Sequence, residues 1–393
     1  MKEEYIGHWI RTRRDIHSHP ELSYQEQRTS NIVATRLTEL GYEVETEIGR
    51  TGVVGRLRGN LTRPGHKRIG LRADMDALPI QEINQFEHRS KFAGKMHACG
   101  HDGHVAMLLG AAQVLAENRE FNGEVVLIFQ PAEEGGAGAK AMVDAGLFER
   151  FPVDAMYALH NWPGLGEGEF AVHTGPVMAS SNEFKVIIHA KGAHAAMPDL
   201  GIDPVVIAAH LIQAYQTIIS RTRKPVDPAV LSVTQINAGE AINVIPETAT
   251  LKGTVRTFSH ETLDLIEERL ISMTQQLCAT FGARAEVEFS RSYPPTINTA
   301  AEAELAANVL KRMPQVSAVH TNLPPTMGAE DFAFFLKEKP GAYLWIGNGL
   351  GGHREVGHGM GPCMLHNPSY DFNDKILPLG VQFWKELVFE YLN

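Results

Sequence analysis

Apolar positions recur along this 393-residue chain with periods of about 3.6 and 2, and the alternation between them marks out the elements. Residues 4–17 place Ile6, Trp9 and Ile10 on one helical face. Pro20 breaks that run, and a second helix is expected from about Gln25 to Leu40, with Gly41 as its C-cap. YEVETEI and VVGRLRG alternate as strands. RIGLRADMDALPI reads as a strand, apolar at its start and acidic at its end. The stretch Met96–Ala112, MHACGHDGHVAMLLGAA, opens a helix that runs to about Asn118. GEVVLIFQPAEEG is apolar on both faces from Val125 to Phe129, as a central strand covered on both sides requires. A helix at about 137–145 and the strand DAMYALHNW follow. Three strand ends in turn thus carry Asp74 and Asp76, Glu133 and Glu134, and His160. The carboxyl ends of such strands are where an open α/β sheet builds its site.

The pattern changes near Ser180. Strand EFKVIIHA, a helix from Asp203 to Arg221, strands AVLSVTQINAG and TATLKGTVRTF, a helix from Glu261 to Phe281 and strand RAEVEFS follow one another. That is the β-α-β-β-α-β order of a ferredoxin-like unit. After YPPTIN come a helix from Glu302 to Arg312, the strand AYLWIGNG, a Gly- and His-rich loop and a closing helix at about 375–392. The loop, GLGGHREVGHGMGPCMLHNPSYDFND, is too long for a simple connection in a compact domain. The expected fold class is α/β: a mixed-sheet domain from residues 1–180 and 295–393, with an α+β domain, 181–294, inserted into it.

Composition narrows the function. Hydrophobic content of 44% and charged content of 21% are ordinary for a globular enzyme. A net charge of −10 argues against nucleic acid or an anionic membrane as partner. No apolar run approaches the roughly 20 residues that span a bilayer. The N-terminal residues show no apolar signal region, and Cys99, Cys278 and Cys363 cannot build a disulfide framework, so a cytoplasmic home is expected. The 18 histidines, many beside Gly, Asp or Asn, hint at metal or proton-transfer chemistry.

Cys99-x-His101 sets a thiolate and an imidazole two residues apart, so that in an extended loop both can turn towards one soft metal ion. A solvated His-rich loop capping a helix is the plainer alternative. Glu133 and Glu134 are adjacent on what the pattern makes extended backbone, so they point opposite ways; one can bind metal while the other works on water. A solvated strand end would look the same. His160 and His366, each ambiguous alone, complete a set of one thiolate, one carboxylate and three imidazoles. Five protein ligands exceed the needs of one open zinc site but suit two metals bridged by a ligand or water. Glu133 would then serve as general base and later as acid. His194 in KGAHAAMP, Asn243 in GEAINVIPE and Arg256 in GTVRTF stand as a loop His, a turn Asn and an Arg able to clamp a carboxylate or to pair at the surface. Cys363 is assigned to packing.

RRDIHSHPELSYQE, RADMDALPI, MHACGHDGHVAML, FQPAEEGGAGAKAMV, ALHNWPG, KGAHAAMP, AINVIPE and MGAEDFAFF together resemble the M20 metallopeptidases, and within them the amidohydrolase branch of hippurate hydrolases, N-acyl-amino-acid deacylases and auxin-conjugate hydrolases. The likeness covers nearly the whole chain in order. It implies a two-metal catalytic domain and an inserted lid and dimerisation domain. It implies metal ligands at Cys99, His101, Glu134, His160 and His366, with Glu133 as acid/base. It further implies that His194 crosses to the partner subunit's site to stabilise the oxyanion, with Asn243 and Arg256 near the substrate's carbonyl or carboxylate. Many M20 peptidases carry His-x-Asp where this chain has Asp74-Met75-Asp76; Asp74 and Asp76 are therefore expected to support ligands rather than bind metal, and Asp102 and His104 to support ligands or the helix start. Zinc or manganese is the expected metal pair, with cobalt or nickel also compatible.

The expected reaction is hydrolysis of the amide bond of a small N-acyl amino acid by a homodimer. A dipeptidase or ureido-type amidohydrolase of the same fold is the alternative within enzymes. A non-catalytic metal-dependent binding protein is the alternative outside them, although binding alone needs no general base.

Overall fold

The computed structural model describes residues 2–354 and 356–393. It forms two compact units, Met1–Val177 with Ile297–Pro324 and Asp331–Asn393, and Met178–Thr296 with Pro325–Glu330. The first unit opens with helices α1 (Glu3–Ser18) and α2 (Gln27–Glu39) and strands β1 (Glu43–Ile48), β2 (Gly52–Arg58) and β3 (Lys67–Asp74). Helix α3 (His101–Glu117) and strands β4 (Gly123–Gln130) and β5 (Ala155–Trp162) follow. They build an eight-stranded mixed sheet in the order β1, β2, β4, β3, β5, then Gly341–Gly347, Glu169–Ala171 and Ala318–His320. The four central members, β4, β3, β5 and Gly341–Gly347, run parallel, so their carboxyl ends share one edge. That shared edge is what gathers the acidic strand ends.

Burial explains the centre of the sheet. Every residue of β4 is buried, which is why its sequence shows no alternation. In α3 only Val114, Ala116 and Glu117 escape full burial, because α1, the closing helix Leu377–Leu392 and the sheet enclose it. Two three-residue strands at the sheet edge, Glu169–Ala171 and Ala318–His320, were not foreseen; three residues are too few to display a period of 2.

The second unit is a four-stranded antiparallel sheet, Ala229–Ala238, Thr248–Thr257, Ser181–His189 and Arg284–Tyr293 in spatial order. Helices Pro204–Thr217 and His260–Thr280 bury Ile207, Leu211, Ile266 and Leu270 against it. Asp203 caps the first helix by accepting from Val205 N–H at 2.8 Å. The expected continuation to Arg221 is a π-helical turn, Ile218–Thr222. No described helix is long and apolar enough to cross a membrane.

Candidate metal centre

Asp74 ends β3, His160 lies near the end of β5, and His101 is the first residue of α3. Gly100 makes that start possible. Its φ is +94°, and a Cβ there would overlap Asn161 Oδ1 and Tyr370 Oη. His366 arrives from the far end of the chain: its N–H donates to Ala98 O at 2.7 Å, which pins the C-terminal loop to the loop of Cys99. His366 itself has φ +62°, a left-handed conformation rare for a non-glycine and characteristic of functional turns.

Glu133 and Glu134 depart from the sequence reading. β4 ends at Gln130, and both glutamates lie in a turn rather than on extended backbone. Their directions are set by Asp76 instead. It accepts from the backbone N–H of Glu133 at 3.0 Å and of Glu134 at 2.9 Å, and from Ser23 Oγ at 2.7 Å.

Within the first unit, three groups of ligand atoms, each mutually within 4.8 Å, form among the described residues: Cys99, Glu134 and His366; His101, Glu133 and Glu134; and Asp74, His101, His104 and His160. Glu134 belongs to two of them. Cys99 and His101 fall in different groups, linked through Glu134. Cys99 Sγ lies 3.4 Å from His160 Nε2.

His104, in the last of these groups, is occupied. Its Nδ1 bonds Asp74 Oδ1 at 2.5 Å and its Nε2 lies 2.8 Å from Asn161 Oδ1, so neither nitrogen is open to an ion. His160 is the opposite case. Its Nδ1 donates to Asn161 O at 2.7 Å, which leaves Nε2 as a lone pair directed at the cluster.

Electrostatics favours a cation. Four carboxylates (Asp74, Asp76, Glu133, Glu134) and a thiol converge, and Arg72 is the basic side chain paired with Asp74, at 2.8 Å. Burial, then Glu134 and Glu133, push the Cys99 thiol well above its usual range. Burial, then His104, hold His160 well below the ordinary imidazole value. His101 goes the other way, to about 10: burial lowers it, but Asp74 and Asp76 outweigh the burial. Its ring sits 3.3 Å from Asp76 and 3.6 Å from Asp74 without a hydrogen bond of good geometry, and both nitrogens are buried. Glu134 Oε1 is likewise buried without a hydrogen bond, 3.2 Å from His366 Nε2. Orphaned imidazole and carboxylate atoms, one lone pair aimed inward and an acidic excess are what a divalent cation would satisfy. The residues fit a metal centre.

The remaining expected residues lie in the second unit. His194 is exposed, on a two-residue strand paired with Val244–Ile245. Its Nδ1 accepts from Ala196 N–H at 3.1 Å, which leaves Nε2 to carry the proton. Asn243 O accepts from Ala195 N–H at 3.0 Å, tying the two loops. Arg256, half-buried on Thr248–Thr257, has its guanidinium pKa lowered by burial. Asp102 is buried against His17 at 2.9 Å and Arg13 at 3.4 Å, a supporting position. Sequence reasoning missed Asn161, Tyr370, Ser23, Glu26 and Arg13, all of which hold the centre's loops. Only the motif RRDIHSHPELSYQE offered a signal for the last three.

The profile of peptidase family M20/M25/M40 matches residues 70–390. The chain is 40% identical to the hippurate hydrolase of Campylobacter jejuni, over 98% of this chain and 97% of that protein. It is 42% identical to thermostable carboxypeptidase 1 of Saccharolobus solfataricus, over 95% and 93%. A crystal structure of a dinuclear metal-binding peptidase of the M20 family from Bacillus subtilis superimposes with a TM-score of 0.84 at 34% identity, covering 100% of this chain and 99% of that one. The chain belongs to peptidase family M20/M25/M40.

Proposed function

We propose that this protein is a metal-dependent amidohydrolase that cleaves the amide bond of N-acyl amino acids, releasing a carboxylic acid and a free amino acid. The observation that carries the reading is the pair of donor groups sharing Glu134, with Glu133 buried beside His101 in one of them. We assign Cys99, His101, Glu134, His160 and His366 as ligands of two divalent ions, zinc or manganese, with cobalt and nickel as substitutes the thiolate and imidazoles tolerate. Held by these residues, two such ions would acidify a water and polarise the substrate carbonyl. Glu133 takes a proton from the attacking water as the new C–O bond forms at the acyl carbon. It returns that proton to the nitrogen as the C–N bond breaks, so the amine leaves neutral. Asp76 orients Glu133 and Glu134 through their backbone N–H groups, and Asp74 orients His104.

His194 is assigned to the oxyanion of the partner subunit's site, which its Nε2–H tautomer suits, with Asn243 and Arg256 beside the substrate's carbonyl and carboxylate. Residues 181–294 are assigned as the lid and dimerisation domain, and a homodimer follows. Supporting this are Ile242, fully exposed, and Met197, Val244 and Ile236, each about half exposed, around His194 and along the edge strand Ala229–Ala238. Three free cysteines suit a reducing, cytoplasmic setting. The similar carboxypeptidase favours a second reading, release of a C-terminal amino acid from a peptide; the reaction centre would be the same.

One assay tests the reading. Acetyl-, benzoyl-, indoleacetyl- and succinyl-amino acids and free dipeptides are offered with each divalent metal in turn, to wild type and to Glu133→Gln. The expected result is N-acyl amino acid hydrolysis that falls about 10²–10⁴-fold in Glu133→Gln while two metal equivalents stay bound. Preferential cleavage of dipeptides would favour the peptidase reading, and undiminished hydrolysis by Glu133→Gln would overturn the mechanism.

A further inference from the structure

The segment Arg13–Glu26, within RRDIHSHPELSYQE, supplies no candidate ligand, yet its side chains reach all three loops of the centre. Arg13 is completely buried among carboxylates. Its Nη1 lies 3.0 Å from Asp371 and 3.4 Å from Asp102, and its Nε donates to Asp374 at 2.8 Å. Asp102 follows His101, and Asp371 and Asp374 follow His366 along the same loop. One guanidinium therefore bridges the loop of the early ligands to the loop of the last. His17 adds a second grip on Asp102, at 2.9 Å.

The other end of the segment grips the glutamate turn. Glu26 is fully buried; Oε1 accepts from Ala132 N–H at 2.8 Å and from Tyr24 N–H at 3.0 Å, and Oε2 from Thr51 Oγ at 2.6 Å. Tyr24 Oη donates to Gly136 O at 2.6 Å and Ser23 Oγ reaches Glu134 O at 3.2 Å. Ala132 and Tyr24 both hold positive φ, +51° and +61°, conformations that a non-glycine keeps only when its surroundings impose them.

We propose that this segment is the positioning frame of the metal centre, and that Arg13 and Glu26 are positioning residues with separable effects. Arg13 sets the spacing between the His101 and His366 loops and thereby the affinity for the second ion. Glu26 sets the turn that aims Glu133 and thereby the turnover of protein that is fully loaded. A guanidinium fork fixes the directions of the bonds it makes to two loops, which an ammonium on a flexible stem does not. An alanine at position 26 would leave the Ala132 and Tyr24 N–H groups without the carboxylate oxygen they share.

This inference rests on the two-metal reading, and the experiment separates the two. Metal affinity is measured by competition with a chromophoric chelator, step by step, for wild type, Arg13→Lys, Asp374→Asn and Glu26→Ala, alongside the melting temperature of each metal-free protein and kcat and KM of each loaded one. Wild type is expected to bind two equivalents; fewer would overturn the two-metal reading and this inference with it. Arg13→Lys is expected to weaken the second equivalent at least about tenfold and leave the first within about twofold. Glu26→Ala is expected to keep both affinities and lose at least about tenfold in kcat at unchanged KM. Should Arg13→Lys fail to fold, Asp374→Asn, which removes one arm of the bridge, carries the same expectation for the second equivalent. Two intact equivalents in wild type, with variants that lower only the metal-free melting temperature, would reduce the segment to a structural role and overturn the proposal.

Discussion

The smallest scale at which this protein is specific is the tautomer of a single imidazole. His160 is readied by one bond to a backbone carbonyl, while His104, just as buried, is excluded from ligation by having partners on both nitrogens. His17 shows a third fate. Burial alone would lower its pKa, but Asp102 at 2.9 Å and Glu82 at 3.3 Å outweigh it and raise the value to about 10. The folded value lies above the ordinary 6.5 or so of an unfolded chain. Its contribution to stability is therefore complete below about pH 6.5 and is lost as the pH rises towards 10. The melting temperature of metal-free protein should fall across that window, and His17→Gln should flatten the fall. An equally steep decline in the variant would exclude His17 as its source.

At the scale of elements, the centre depends on how closely a helix can approach a strand and a loop. The start of α3 sits against Asn161 on β5 and against Tyr370 and Phe372 on the C-terminal loop, and Gly100 and Gly103 leave no room for a Cβ there. Gly100→Ala should therefore cost more than the usual 1–3 kcal/mol of a strained φ, because overlap with Asn161 and Tyr370 adds to it. Chemical denaturation of the metal-free variant measures this, and an unchanged midpoint would show that α3 can shift without cost. Short elements carry chemistry here as well. The turn holding Glu133 and Glu134 has no periodicity of its own; its geometry comes from Asp76, Ser23 and Glu26, which are remote in sequence.

For the whole molecule, the two units bury separate hydrophobic clusters, one around α3 and the large sheet, the other around Phe184, Ile207 and Leu270. Unfolding need not then be a single two-state step. An ion held only by the folded first unit stabilises that unit by mass action, about 4 kcal/mol at a thousandfold excess over its Kd. Calorimetry should show two transitions, with chelation lowering one and leaving the other in place, and metal restoring the original trace. A chelator that moved both together would mean that the units unfold as one.

Periodicity alone determined the existence and type of the long elements, the ferredoxin-like order of the second unit and the central position of β4, because buried faces impose their period on the sequence. Residue chemistry and the family resemblance named the candidate ligands, because thiolate, imidazole and carboxylate are the side chains that bind divalent metals. Tertiary structure decided what distance in sequence conceals. It separated Cys99 from His101 into different donor groups, moved Glu133 and Glu134 from a strand into a turn, committed His104 to hydrogen bonds and placed Arg13 between loops that bear His101 and His366. Those outcomes depend on backbone direction and on which partner arrives first at each polar atom, and neither quantity is written in the spacing of residues along the chain.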